Sequence, residues 1–179
     1  MRSEVVHMLI TGRTLRSIAE SLSEDKLHVG TSSIDVRLGN KFYIGDSQSS
    51  EIIIAEDGVV EYRGFEYVEK EHGEVFTFEP GKLYIAESKE YIRIPGNMGA
   101  FLALRSSAGR RGLDHLHAGW LEPGWEGYIT FELNAIVRTQ FRIGERIAQL
   151  VFIRADEWTQ YAGQYQKQTG PVLAGVRAA

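Results

Sequence analysis

Residues 105–134 read RSSAGRRGLDHLHAGWLEPGWEGYITFELN, and the end of this stretch decides the fold. In Tyr128-Ile-Thr-Phe-Glu-Leu, apolar and polar residues alternate, so Thr130, Glu132 and Asn134 share one face of a strand while Phe131 and Leu133 face the opposite way. Glu132 is thus a carboxylate inside an otherwise apolar strand. At the front of the stretch, Arg105, Ser106, Ser107 and Arg110 group two guanidinium ions with two hydroxyls, the donors a polyphosphate takes up. Between them lies a turn rich in Gly and Pro that carries one acid, Glu122. Phosphate grip, positioned acid and half-buried carboxylate are together what an enzyme acting on a nucleoside triphosphate needs.

Outward from this segment, the chain continues as short strands. Ser33-Ile-Asp-Val-Arg-Leu-Gly alternates and ends at Gly39, and Lys26–Val29, Lys41–Ile44, Glu51–Ala55, Val59–Tyr62, Glu74–Phe78, Leu83–Ala86, Tyr91–Ile94, Met98–Leu104 and Arg146–Ile153 read the same way. Pro80-Gly81 and Pro95-Gly96 punctuate them. Leu15, Ile18, Ala19 and Leu22 stand at helical spacing, which predicts one short helix over 12–24. The expectation is a mainly β sandwich, jelly roll or barrel with a short N-terminal helix, as a single domain over 1–179. The acidic segment 46–73 reads as an irregular surface excursion. The tail 161–179 reads either as flexible or as a segment that orders over a ligand.

Composition narrows the chemistry. The chain has 179 residues, 43% of them hydrophobic, enough for a real core. A formal net charge of −4 argues against a nucleic-acid-binding surface, so phosphate binding has to come from a local cluster. With no cysteine there is no disulfide, thiolate metal site or Cys nucleophile. The amino terminus, Met1–His7, lacks a long apolar stretch, and no window reaches the roughly 18 apolar residues of a membrane span. The expectation is a soluble, cytoplasmic protein without nucleic-acid or membrane partners.

Each candidate residue has a plain alternative. The Arg/Ser cluster is either a phosphate site or a solvated turn. The polar face holding Glu132 either lines a pocket or faces water; in a partly dry pocket its proton affinity rises, which suits proton transfer near neutral pH. His115 and His117, at i, i+2 beside Asp114, have a spacing compatible with a metal site, although no metal-binding motif accompanies them. Trp120 and Trp125 read as packing residues, and Tyr161, Tyr165 and Gln168 as tail residues able to close on a ligand. Arg111 should point away from the side that Arg110 presents.

Taken in order, RSSAGRRG and HAGWLEPGWEGYITFELN, with SSIDVRLGNKF (32–42), FEPGKLYIAESKEYIRIP (78–95), FRIGERIAQLVF (141–152) and QYQKQTGP (164–171), resemble the dCTP deaminase family of the trimeric dUTPase superfamily. The resemblance implies a distorted, dUTPase-like β-barrel or jelly roll and a homotrimer with active sites at subunit interfaces. It implies catalytic roles for Glu132 and Ser106. It places substrate contacts at Arg105, Ser107, Arg110, Ala118, Glu122, Thr130, Phe131, Gln149, Tyr161, Gln164, Tyr165 and Gln168. It implies hydrolytic deamination of dCTP to dUTP and ammonia, with Mg²⁺ carried on the substrate phosphates and no zinc. The alternatives are a bifunctional enzyme continuing to dUMP and pyrophosphate, and a non-catalytic nucleotide-binding trimer. Further candidate nucleotides are dUTP and dTTP.

The chain departs from the family pattern at three places. Glu122 stands where Asp is general, His117 where Thr is frequent, and Gln164 where a phosphate-binding Lys is common. The extra methylene of Glu122 shifts its carboxylate by roughly an ångström, a displacement that matters to a positioned water.

Overall fold

A computed structural model describes residues 8–55 and 59–175. The terminal residues 1–7, and the last four residues of the tail considered above, lie outside the described part. One helix opens it, α1 (Gly12–Leu22), which buries Leu15, Ala19 and Leu22 as their three- and four-residue spacing requires. Then come β1 (His28–Val29), β2 (Ile34–Asp46), β3 (Glu51–Ile54), β4 (Val60–Arg63), β5 (Glu66–Glu69), β6 (Val75–Phe78), β7 (Lys82–Arg93) and β8 (Met98–Leu104). A single helical turn, α2 (Ser106–Gly109), precedes β9 (Leu113–His115), β10 (Trp120–Leu121), β11 (Glu126–Ala135), β12 (Thr139–Arg142) and β13 (Arg146–Arg154). No helix among the described residues is long and apolar enough to cross a membrane.

The main sheet runs β10-β8-β13-β2-β7-β11-β9, with β1 and β5 also on β2, and it curls into a half-barrel. Its pairings are antiparallel. Two pairs of predicted strands merge. Residues 33–39 and 41–44 form the single β2, and Leu83–Ala86 and Tyr91–Ile94 join in β7. The break expected at Gly39 is instead a register shift between Leu38 and Phe42, which lets the strand bend without leaving the sheet. Gly39 is needed there, since a Cβ would come within 2.5 Å of Glu87 Cγ and 2.7 Å of the Glu87 carbonyl oxygen.

The described part of the segment 46–73 holds more strand than expected. β3 and β4 form a hairpin, and β5 pairs with β2 from Lys41↔Glu69 to Ile44↔Glu66. Along β11 the alternation holds as predicted, with Ile129, Phe131, Leu133 and Ala135 buried. Phe131 is fully buried in the same cluster as Phe42, Phe78, Ile92 and Leu150. That core fixes which face β11 turns outward, and therefore where Glu132 points.

Candidate functional site

Glu132 leaves β11 beside the end of β9. Its side chain is 27% exposed, and its Oε2 is buried without a hydrogen-bond partner. Beside it is His115, 3% exposed, whose Nε2 lies 3.3 Å from that oxygen but is not aligned for a hydrogen bond. The other ring nitrogen is committed, because the backbone N–H of His117 donates to His115 Nδ1 at 3.2 Å. In a neutral ring one nitrogen accepts and the other carries the proton. With Nδ1 accepting, Nε2 is the nitrogen that carries the proton, beside the Glu132 oxygen but not directed at it. His117 reaches this position with φ of 64°, a left-handed conformation that a non-glycine side chain adopts at some cost. The pair that sequence spacing offered as a metal site is thus a loop brace: the backbone of one histidine sets the tautomer of the other.

Glu132 lines a cavity of about 310 Å³ with Ile85, Leu102, Ala118, Trp120, Trp125, Thr130, Tyr165 and Gln168. This is the lower range of small-molecule sites, mostly apolar with few polar groups. The tail is docked here. Trp125 Nε1 donates to the Tyr165 carbonyl at 2.8 Å, and the Tyr128 N–H to the Gln168 carbonyl at 3.0 Å. Lys167, whose φ of 61° is also left-handed, donates its N–H to Glu126 O at 2.8 Å. Further along, the Val172 N–H reaches Thr130 Oγ1 at 3.2 Å and the Ala174 N–H reaches the Tyr62 hydroxyl at 3.0 Å. The described part of the tail thus packs along the wall of this cavity.

The Arg/Ser cluster lies elsewhere in the same chain. Arg105 precedes α2; Ser106, Ser107 and Arg110 are exposed, and none of the four lines the Glu132 cavity. Arg105 Nε sits 3.3 Å from Asp35 Oδ1, while Arg146 Nη1 donates to Asp35 Oδ2 at 3.0 Å. Asp35 is only 7% exposed and also meets His28 Nδ1 at 2.9 Å. This buried acid holds the guanidinium groups in place at the edge of the cluster. Gln149 belongs with it: it is the cross-strand partner of Asp35 and accepts a hydrogen bond from Ser33 Oγ at 3.1 Å. Arg111 pairs with Glu145 and stacks its guanidinium 3.6 Å from the Phe141 ring centre.

Four other expected contacts stand apart from the Glu132 cavity in one chain. The side chain of Phe131 faces the core, so only its backbone is available. Tyr161 packs against the core and donates its N–H to the Pro123 carbonyl at 2.9 Å. Gln164 and Glu122 are exposed. Trp125 packs, at 5% exposed, but Trp120 is 43% exposed and tilts on Phe101 with ring centres 4.7 Å apart. Sequence reading missed Asp35, Tyr62 and the role of His115. Asp35 carried a usable signal, an acid between Ile34 and Val36, the same pattern that singled out Glu132. Tyr62 carried none, because its approach depends on how the β3–β4 hairpin folds over the sheet.

A family model described as dCTP deaminase-like matches residues 5–155. The protein named dCTP deaminase, dUMP-forming, of Sulfurihydrogenibium sp. is 37% identical over 178 residues, covering 94% of this chain and 97% of that one. Its namesake from Aquifex aeolicus is 36% identical over 179 residues, with 94% and 95% coverage. A dCTP deaminase of Natronomonas pharaonis is 34% identical over 169 residues, with 88% and 86% coverage. Among solved structures, the 2'-deoxycytidine 5'-triphosphate deaminase of Agrobacterium tumefaciens matches with a TM-score of 0.70 over 86% of this chain. This chain spans 50% of that one at 14% identity, so the match speaks for the fold alone. The mainly β architecture and the family expected from the sequence both hold, and the chain belongs to the dCTP deaminase-like family.

Proposed function

We propose that this protein hydrolytically deaminates dCTP, with Glu132 moving the protons. The observation that carries this reading is the buried, unpartnered Oε2 of Glu132 on the wall of a cavity of about 310 Å³. A carboxylate so placed accepts a proton from water as the water oxygen adds to C4 of cytosine. Glu132 delivers that proton to N3. It then carries the proton of the new hydroxyl to the amino group, the C4–N bond breaks, ammonia leaves and a uracil carbonyl remains. Ser106 helps to hold the water. A non-catalytic nucleotide binder has no use for such a carboxylate.

Arg105, Ser107 and Arg110 hold the triphosphate, and a second copy of the chain brings them to Glu132. Support comes from the separation of the two groups within one chain and from the resemblance to a trimeric superfamily. Thr130, Ala118, Tyr165 and Gln168 surround the base and sugar. Mg²⁺ comes with the phosphates: among the described residues no group of three or more His, Asp or Glu side chains forms a metal cage. The ion neutralises phosphate charge. The zinc route of other nucleobase deaminases takes a ligand set with cysteine, which this chain lacks.

Of the two products, the dUMP-forming reading is the one favoured by a specific observation. Relatives aligned over 94% of this chain are named dUMP-forming. In that reading hydrolysis to dUMP and pyrophosphate follows deamination. One assay tests both: incubate dCTP with Mg²⁺ and measure ammonia, dUTP, dUMP and pyrophosphate. Wild type should release ammonia, and Glu132→Gln should release none while still binding nucleotide. An active Glu132→Gln enzyme overturns the reading, and ammonia without pyrophosphate limits it to the single step.

A further inference from the structure

We propose that Glu87 is a positioning residue that couples closure of the tail over the Glu132 cavity to uptake of a proton by its own carboxyl group. Glu87 is 4% exposed and its Oε2 has no hydrogen-bond partner. It is the cross-strand partner of Thr130, whose hydroxyl accepts the N–H of tail residue Val172. On the other side, the Gln168 carbonyl accepts the Tyr128 N–H. Between these two anchors the tail crosses Glu87 at Gly170, where a Cβ would stand 3.6 Å from Oε2. Underneath, Gly39 leaves room for the Glu87 stem and nothing more. The carboxyl group is therefore sealed between β2 and the docked tail.

A carboxylate exposed to water ionises readily, whereas burial favours its neutral form. Burial pushes the Glu87 pKa up to about 7; Lys41 and the Asn40 and Lys41 amides pull it down, and Glu69 raises it. Lys41 Nζ lies 3.8 Å from Oε1, and Lys89, His72 and Tyr128 line the small cavity alongside. On the tail side the charged pair is Lys167 with Glu126, 3.6 Å apart. When the tail lifts, Oε2 regains water and its proton affinity falls toward the ordinary carboxylate value. The closed form thus binds the extra proton. Closure is unopposed below the ordinary carboxylate range, weakens as pH rises from there, and is fully opposed above about 7.

The inference rests on the reading of the Glu132 cavity as a nucleotide site, but its test uses no nucleotide. Hydrogen exchange of the tail (164–175) in the full-length protein is measured from pH 5 to pH 8.5, corrected for the intrinsic pH dependence of exchange. Protection in wild type should fall with rising pH, about tenfold for each pKa unit that the tail contributes. Glu87→Gln, which stays neutral, should hold its protection level across the range. Lys41→Met should move the wild-type midpoint to higher pH, which a purely structural role would not do. Flat wild-type protection, a fall that persists in Glu87→Gln, or an unmoved midpoint in Lys41→Met overturns the proposal. Absence of ammonia release from dCTP would remove the proposed function and leave this result standing.

Discussion

His115 Nε2 lies 3.3 Å from Glu132 Oε2, and neither atom has a hydrogen-bond partner within the chain. The ring cannot turn freely, because its Nδ1 already accepts the His117 N–H. The carboxylate therefore meets a fixed imidazole edge on one side and the cavity on the other.

His115→Ala should lower kcat for dCTP deamination by about 10- to 100-fold with a smaller change in KM, the effect expected when a reacting group loses its orientation. His115→Gln, which keeps a donor at similar reach, should recover part of the loss. Steady-state kinetics on the two variants checks this; equal losses in both would show that the imidazole acts through bulk alone.

Asp35 organises the arginine pair beside the Arg/Ser cluster. Asp35→Ala leaves Arg105 and Arg146 without their common acceptor. Because both guanidinium groups are partly exposed, the expected destabilisation is about 1–3 kcal/mol, below that of a fully buried pair. Nucleotide affinity should fall with it. Urea denaturation and nucleotide-binding titration read the two effects separately.

Glu87 should make stability pH-dependent. Its folded pKa of about 7 exceeds the ordinary value of 4.5, so the folded chain binds the proton more tightly than the unfolded one. Its cost to the fold is absent below 4.5, grows as pH rises, and is complete above about 7. Glu87→Gln should therefore raise stability at pH 8 by an order of magnitude of 1–3 kcal/mol, and by less at pH 5.5. Thermal melts at the two pH values test the sign; a larger gain at the lower pH would contradict it.

Gly39→Ala should destabilise the fold by about 1–3 kcal/mol, since its Cβ meets backbone oxygens as well as the Glu87 side chain. Gly109→Ala, where a Cβ meets nothing within 4 Å, is the control and should leave the melting temperature close to wild type.

The strand content, the helix near the amino terminus and the outward face of β11 were legible because each depends on neighbours a few residues apart. Merged β2 and β7 were not. Gly39 reads as a stop, yet a bulge absorbed by the facing strand carries the chain through it. The strand at residues 66–69 likewise depends on a strand that is near only in space, β2, on which β5 lies.

For the site, the sequence alone determined the chemical parts: a lone carboxylate on a polar strand face, two arginines with two serines, and a family order that joins them. The tertiary structure decided which parts meet. Curling of the sheet brings Tyr165 and Gln168 to Glu132, sets His115 against the same carboxylate, and leaves the arginine cluster outside that cavity. Alternation along a strand has a period of two and is written residue by residue. Strand register, sheet curl and tail docking are contacts between residues far apart in the chain, and they follow only from the packing of the whole core.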